Sequence, residues 1–552
     1  MTQVRAEKPV VDYSVYLVTG RDLLPPGKGY LESLKEAIEG GVTLIQVREK
    51  NAETSEFLEI AQQTVELCRS HKVPVLINDR IDIALASRAD GVHLGQTDMP
   101  VPMARSLLPP NAIIGMTCTT SEHVRQAILD QVDYVGLGAV YGTATKDVSA
   151  PGKIRGVKGV REMLNVLEGT GVKSVAIGGI KSTNLLRVLH GAVTPTGHAL
   201  DGVAVVSDIV ASSNPRASAE RLSLIFRSWA AIPRGSKSFS VDGADAYLPA
   251  NVIKAAADLV AHLTNNVVKT QSANATIAMG GSPIMAAAAQ EQADLARIPG
   301  GMLINFGTVE EMDGMLAAGF NANLNRKPVI FDPVGIGATT YRQNCAEELL
   351  SKWQPTVIKG NAAEIGALIQ SEEVDFPRID GVYTITDAHR CTQRKVKSQG
   401  VDSLGSGFKD PEAVVRSLAQ KERCIVVLSG PIDYISDGST VIRLSNGHPL
   451  LGQITGAGCM LGTAVATFCG AQSVLAERKG LGAADGVLAR GDMLTAAAAG
   501  VLALTIASEN AAQRGDVHGP GTFLPALIDS LADLTPETIQ NMAKVEVDVE
   551  NK

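Results

Sequence analysis

Two separate sets of charged and glycine-bearing residues in this chain have the types and spacing to handle phosphate. The first comprises Gln46-Val47-Arg48-Glu49-Lys50, Ile77-Asn78-Asp79-Arg80, Gly95-Gln96-Thr97-Asp98 and Thr143-Ala144-Thr145-Lys146. Asp79 and Asp98 are hard oxygen donors of the kind an octahedral Mg2+ prefers, and two carboxylates leave positions open for phosphate oxygens. Arg48 and Lys50, two apart in an extended segment, project the same way and can clamp an anion, with Lys146 as a third cation. Gly178-Gly179 and Val206-Ser207 add backbone amides as a second means of holding phosphate. Each residue alone has a plainer reading: a surface ion pair for Asp79-Arg80, a core histidine for His93, helix caps for Thr143 and Thr145.

The second set is Asp332-Pro333-Val334-Gly335, Gly360-Asn361-Ala362-Ala363-Glu364 and Thr455-Gly456-Ala457-Gly458-Cys459. A glycine loop opening a helix aims successive N–H groups at one point, an anion hole for a transferring phosphoryl group. The Gly456/Gly458/Gly462 spacing is not GxGxxG, and no GxxxxGK[ST] occurs, so neither a dinucleotide fingerprint nor a P-loop is present. Cys459 falls in the N-terminal field of that helix, which lowers a thiol pKa and suits a base acting on a substrate hydroxyl; the plain alternative is a small buried hydrophobe. Glu364 is placed to bind Mg2+, directly or through water, and Asp332 either shares that work or caps a helix. Two phosphate-handling sites on one polypeptide suggest consecutive steps of one pathway.

These residues need elements to carry them. Apolar β-branched runs at 14–19, 43–48, 74–78, 91–94, 112–116, 133–137, 174–177 and 202–206 alternate with helical patterns such as 54–71, 121–130 and 208–229. Eight βα repeats close a (β/α)8 TIM barrel, although an open doubly wound sheet shares the alternation. Arg48, Asn78, Gly95, Thr117, Gly138, Gly178-Gly179 and Ser207 fall at or just beyond strand C-termini, the face where barrels keep their active sites. Residues 231–242 read as a Gly/Pro/Ser-bearing linker between a barrel over 8–230 and a second domain over 243–545. There, Ala-rich helices at 252–263 and 491–508 mix with strands at 302–305, 329–331, 356–358 and 425–428, an α/β layered domain. The stretch 390–409 is less patterned and reads as a surface excursion.

Composition bounds the partners. A chain of 552 residues exceeds one core. The net charge of −8 argues against a nucleic-acid binder. Seven scattered cysteines without a CxxC pair indicate a reduced compartment with no zinc site. The first residues lack the apolar region of a secretory signal. The apolar run 494–507 is shorter than the roughly 20 residues of a membrane span and reads as a buried helix. A cytoplasmic protein with no membrane partner is expected.

Over residues 10–210 the chain resembles thiamin-phosphate synthase, in the strings QVREK, LINDRIDIAL, ADGVHLGQTDM, GMTCTT, GLGAVYGTATK, AIGGI and GVAVVS. The resemblance implies that Gln46, Arg48, Lys50, Asn78, Thr117 and Lys146 contact a pyrimidine diphosphate, with Arg48 and Lys146 catalytic. It implies that Asp79 and Asp98 ligate Mg2+, and that Thr143, Thr145, Gly179, Val206 and Ser207 cradle a thiazole phosphate. Thr117 stands where that family often has serine, and the hydroxyl is kept. Over 245–535 the chain resembles hydroxyethylthiazole kinase, of the ribokinase-like fold, in LTNNVVKTQSANATIAMGGSPIM, INFGT, FDPVGIGAT, IKGNAAEI, GVDS, ITGAGCMLG and GPGTF. This implies a thiazole pocket at Asn265, Val267, Met285 and Gly456 and an ATP site at Arg342, Lys359, Thr455, Gly456 and Gly458. Glu364 is then the Mg2+-linked acid and Cys459 the base. Lys359 stands where bacterial members often carry Arg, which trades a bidentate fork for a point charge. The stretch 372–397 is longer than usual.

A fusion of this kind resembles the fungal bifunctional enzymes of thiamin biosynthesis, and the kinase resemblance implies a trimer or hexamer. Three other readings compete: a kinase for the pyrimidine alcohol on the same barrel, one inactive domain kept as ligand sensor or oligomerisation scaffold, and an isomerase or aldolase barrel.

Overall fold

The structure, a computed structural model, describes residues 10–143, 153–231, 259–263, 269–305, 307, 309, 311–370, 397–399, 402–404, 408–481 and 488–549. They divide into two compact units, the first holding the described residues 10–231 and the second those from 259 onward.

In the first unit, eight parallel strands close into a barrel in chain order: β1 Val15–Val18, β2 Leu44–Val47, β3 Val75–Asn78, β4 Gly91–Leu94, β5 Ile113–Cys118, β6 Tyr134–Gly138, β7 Lys173–Ile177 and β8 Gly202–Val205. The strands read as near-continuous apolar runs because helices cover one face and the barrel interior fills the other. Tyr16, Leu44, Leu76, Ile113, Tyr134, Val175 and Ala204 belong to one buried cluster. A Cβ at Gly115 would lie 2.1 Å from the Tyr134 ring, so that strand position must be glycine for the ring to pack there. Every expected strand is present within two residues of its expected ends. The expected helix 208–229 is instead two, Ser207–Val210 and Pro215–Ala230. Pro215 at the first helical position and Asn214, whose side chain accepts from Ala217 N at 3.1 Å, restart the helix.

The second unit is built on a nine-stranded sheet. Its strands, in chain order, are β9 Leu259–Leu263, β10 Ser282–Met285, β11 Met302–Asn305, β12 Val329–Asp332, β13 Val357–Asn361, then β16 Ile425–Ser429, β17 Asp433–Ser436, β18 Thr440–Leu444 and β19 Val545–Val549. A separate ribbon pairs β14 Lys397–Gln399 with β15 Asp402–Leu404. The sheet order is β10-β9-β11-β12-β13-β16-β17-β18-β19, parallel through β16 and antiparallel beyond. The expected helix 252–263 needs correction: Leu259–Leu263 is a strand between β10 and β11. Alanine-rich composition suggested a helix, but hydrogen-bonded neighbours on both sides override so weak a propensity.

Period-two alternation decides which side chains meet. Met302, Ile304, Val329, Phe331, Ile358 and Val426 pack in one core with the helices on their side. Leu303, Asn305, Ile330, Asp332, Val357 and Lys359 therefore face the opposite side, which the helix Ala457–Arg478 covers. That helix and Met493–Ala512 pack on each other. At 22 and 20 residues both are long and apolar enough to cross a membrane, so the run 494–507 understated the second; in each, 89% of the apolar window is buried against the rest of the protein.

Candidate active sites

At the barrel's C-terminal mouth, Asn78 and Asp79 end β3. Asp79 has φ 60°, the left-handed region, and Arg80 N donates to Asn78 O at 2.7 Å, a tight turn that delivers the carboxylate to the mouth. Asp98 follows β4 and accepts from Gly95 N at 2.7 Å. Burial raises the Asp98 carboxyl above the usual range, and a hydrogen bond shared with Asp79 raises it further. Two carboxylates this close repel unless a proton or cation lies between them, which is how a divalent ion would fit. Among the described residues no group of three or more His, Cys, Asp and Glu converges. The remaining ligands would then be water and phosphate oxygens, the habit of Mg2+. Lys50 and Asp79, assigned to diphosphate and cation respectively, form an ion pair with each other. Glu49, between the two expected clamp residues, is held by Arg21 at 3.0 and 3.1 Å, and Arg48 N donates to Thr19 Oγ1 at 3.0 Å. These contacts pin the segment that presents Arg48.

Gly179 and Ser207 follow β7 and β8. Tyr141 N donates to Gly178 O at 3.0 Å, and Asp208 accepts from Ser182 N at 2.7 Å, so the loops after β6, β7 and β8 are tied together. Val206 is the N-cap residue and Ser207 the first residue of the helix Ser207–Val210. Thr143 is described at the edge of this region; Thr145 and Lys146 lie outside the described residues, as do Asn265 and Val267.

In the second unit the chemistry gathers beneath the loop at 455–459. Gly456, at φ 81°, adopts the left-handed conformation that turns the chain into the helix Ala457–Arg478. Cys459 is in its first turn and is buried. Asn305 Nδ2 donates to Cys459 Sγ at 3.1 Å and to Asp332 Oδ2 at 2.8 Å; Lys359 Nζ meets Asp332 Oδ1 at 3.1 Å. A Cβ at Gly458 would lie 3.2 Å from Lys359 Nζ, and one at Gly462 3.1 Å from Asp332 Oδ2. The small residues of the loop thus let the helix N-terminus settle onto a buried ion pair. Burial alone would pull the Lys359 ammonium down, but Asp332, then Glu364 and Cys459, hold it at about 12, so it stays charged beneath the turn at Gly456–Gly458. Asp332 therefore neither caps a helix nor points to solvent.

Glu364 accepts from Gly335 N at 3.1 Å and Asn361 N at 2.9 Å. With both oxygens so engaged, contact with a cation through water fits better than direct ligation. Arg342 spans the carbonyls of Val334 at 2.9 Å and Gly307 at 2.6 Å, which brings its guanidinium to the C-terminal side of β11 and β12. Thr455 and Gly458 are exposed, and Met285 ends β10 half-buried.

The thiamine monophosphate synthase family profile matches residues 15–209, and the hydroxyethylthiazole kinase profile matches 251–537. A probable thiamine biosynthetic bifunctional enzyme of Schizosaccharomyces pombe is 38% identical over 549 residues, 97% of each chain. The chain belongs to the bifunctional thiamine biosynthetic enzymes. The Saccharomyces cerevisiae member is 34% identical over 569 residues, 96% of this chain and 97% of that one. A thiamine-phosphate synthase of Alkaliphilus oremlandii is 39% identical over 212 residues, 38% of this chain and 95% of that one. As in this bifunctional family, the barrel is a thiamine-phosphate synthase and the layered unit a hydroxyethylthiazole kinase, which sets aside the pyrimidine-alcohol kinase and the isomerase or aldolase barrel.

Motif reading passed over several residues of these sites. Asn305 and Ser429 end β11 and β16, and Ser429 pairs in register with Asn361. Polar residues closing apolar runs, in Met302-Leu-Ile-Asn305 and Ile425-Val-Val-Leu-Ser429, were the available signal. Asp433 accepts from Gly430 N at 3.0 Å and is pushed up to about 7 by burial; burial likewise takes Glu364 to about 7. Both carboxyls keep a proton in the fold at pH values where the unfolded chain has lost it. Their contribution is complete below about 4, the unfolded value, and is lost as pH rises through about 7. The kinase unit should therefore lose stability between those limits. In a Trp229→Phe background the buried Trp353 reports this unit alone, and its urea midpoint should fall from pH 5 to pH 8. A midpoint that rises over that range would contradict protonated carboxyls.

Proposed function

We propose that the kinase unit phosphorylates 4-methyl-5-(2-hydroxyethyl)thiazole with ATP, and that the barrel joins the thiazole phosphate to 4-amino-5-hydroxymethyl-2-methylpyrimidine diphosphate. The products are thiamin monophosphate and pyrophosphate. The observation that carries this reading is that each unit gathers an anion-holding set at its C-terminal strand ends, and the first product is the second substrate.

In the kinase, Cys459 takes the proton of the substrate hydroxyl. The freed oxygen bonds to the γ-phosphorus as the bond to ADP breaks. Lys359 and the amides after Gly456 and Gly458 meet the charge on the transferring group, Arg342 and Thr455 approach the nucleotide phosphates, and Glu364 is the Mg2+-linked acid. Asn265, Val267, Met285 and Gly456 line the thiazole pocket. In the barrel, the bond between the pyrimidine methylene and the diphosphate oxygen breaks with its electron pair leaving on pyrophosphate, and the thiazole nitrogen bonds to that carbon. Arg48, Lys50 and Lys146 receive the departing charge, while Gln46, Asn78 and Thr117 hold the pyrimidine. Thr143, Thr145, Gly179, Val206 and Ser207 hold the thiazole phosphate. Mg2+ bound at Asp79 and Asp98 would neutralise diphosphate charge. The enzyme acts in the cytosol as a trimer or hexamer, with the barrel over 8–230, a linker at 231–242 and the kinase over 243–545.

A coupled assay with the thiazole alcohol, ATP, Mg2+ and the pyrimidine diphosphate tests the order of steps. ATP-dependent thiamin monophosphate is expected; product only when thiazole phosphate replaces the alcohol would overturn the kinase half. Cys459→Ala should lower kinase kcat by roughly 10²- to 10⁴-fold, the usual worth of a positioned base, with synthase turnover unchanged. An unaffected kinase rate would make Cys459 a packing residue.

A further inference from the structure

The loop after β7, Gly178-Gly179-Ile180-Lys181-Ser182, is fixed from three sides. Tyr141 N, in the loop after β6, donates to Gly178 O at 3.0 Å. Asn184 holds two successive peptides: its Nδ2 donates to Gly179 O at 3.0 Å, and its Oδ1 accepts from Lys181 N at 2.9 Å. Asp208, after β8, accepts from Ser182 N at 2.7 Å. A backbone N–H can only donate, so Lys181 N decides which way the Asn184 amide is turned, and its nitrogen must face Gly179 O.

A trans peptide points its N–H and its C=O in opposite directions. With Gly178 O drawn toward Tyr141 and Gly179 O toward Asn184, the N–H groups of Gly179 and Ile180 are turned away from those partners. Neither finds an acceptor among the described residues. Ile180 is 3% exposed, and a buried backbone N–H left unpaired is rare in a folded protein unless something else comes to meet it. Gly178 and Gly179 have φ 102° and 64°, conformations that glycine adopts without strain. A Cβ at Gly179 would lie 2.6 Å from Gly142 O, so the two amides sit beside the residue that precedes Thr143. Successive N–H groups without acceptors, next to a threonine hydroxyl, make a place for an anion.

We infer that Asn184 and Asp208 are positioning residues that engage the amides of Lys181 and Ser182 and aim those of Gly179 and Ile180 at the thiazole phosphate. Ile180 N–H thereby joins Gly179 as a phosphate donor. This rests on the reading that the loop holds that phosphate. Both side chains act through the backbone. Asp208 serves by geometry rather than by charge: a carboxylate near a phosphate is repelled by it, and what the loop takes from Asp208 is one oxygen for Ser182 N.

The test measures KM for both synthase substrates in the full-length enzyme, with thiazole phosphate supplied and ATP omitted. Asn184→Ala should raise KM for thiazole phosphate about tenfold, the worth of a hydrogen bond to a charged group, and leave kcat and the KM for the pyrimidine diphosphate within about twofold. Asp208→Ala should act alike and serves if Asn184→Ala does not fold. Asp208→Asn keeps an oxygen for Ser182 N and should return KM to the wild-type value. An Asn184→Ala enzyme that loses the same factor with both substrates would overturn the inference and leave a structural role. Unchanged KM values would remove the two amides from phosphate binding, and an Asp208→Asn enzyme as weak as Asp208→Ala would overturn the geometric role of Asp208. A wild type that makes no thiamin monophosphate from thiazole phosphate would overturn the underlying reading, a different result from an active wild type whose variants do not separate the two substrates.

Discussion

Asp98→Asn is expected to lower synthase kcat by about 10²- to 10³-fold and to leave the kinase rate of the same preparation intact. The substitution keeps the shape of the side chain and the oxygen that accepts from Gly95 N. It removes one of two facing negative charges, so the mouth no longer has a deficit that a divalent ion must relieve, and the amide can satisfy Asp79 by itself. Charge stabilisation by a bound cation is worth several kcal/mol, and each 1.36 kcal/mol is tenfold in rate. Asp79→Ala should act in the same direction and also release Lys50 from its ion pair. Measuring pyrophosphate release across a Mg2+ titration separates weakened binding from lost stabilisation. If Asp98→Asn turned over at the wild-type rate at every Mg2+ concentration, Asp98 would be no part of the cation site.

The barrel was legible because its strands are short apolar runs buried on both faces, and each ends in a residue of a different chemical kind. Arg48, Asn78-Asp79, Thr117, Gly178-Gly179 and Ser207 stand at strand ends as their positions in the chain require. The kinase motifs were legible for a related reason: Gly456, Gly458 and Glu364 depend on local turns. What escaped is non-local. That Asn305 bridges Asp332 and Cys459 depends on a register, Asn305 opposite Asp332, set by the sheet. The Tyr16–Tyr134 contact joins residues 118 apart in sequence, through side chains that read as ordinary core aromatics. The strand at Leu259–Leu263 escaped because its helical composition is outweighed only by neighbours far along the chain.

Lys359→Met should both destabilise the kinase unit and abolish most of its turnover, and the two losses should be separable. Asp332 is fully buried and Lys359 is 3% exposed. Without the ammonium, the Asp332 carboxyl, which burial already pushes above its usual range, stays in the core with Asn305 as its remaining side-chain donor among the described residues. Removing one partner of a buried ion pair typically costs about 3–5 kcal/mol, because the other charge is left uncompensated. The same change takes a cation from beneath Gly458, and removing one preorganised stabiliser of developing charge costs roughly 10²- to 10³-fold in kcat. Lys359→Met/Asp332→Leu replaces the pair with apolar side chains and should regain most of the stability, since a buried pair adds little over good packing. It should regain none of the turnover. Denaturation followed by Trp353 fluorescence in the Trp229→Phe background and ATP-dependent thiazole phosphorylation read the two quantities independently. A double variant that recovered stability and turnover together would reduce Lys359 to a structural partner of Asp332 and leave the anion hole to the helix amides alone.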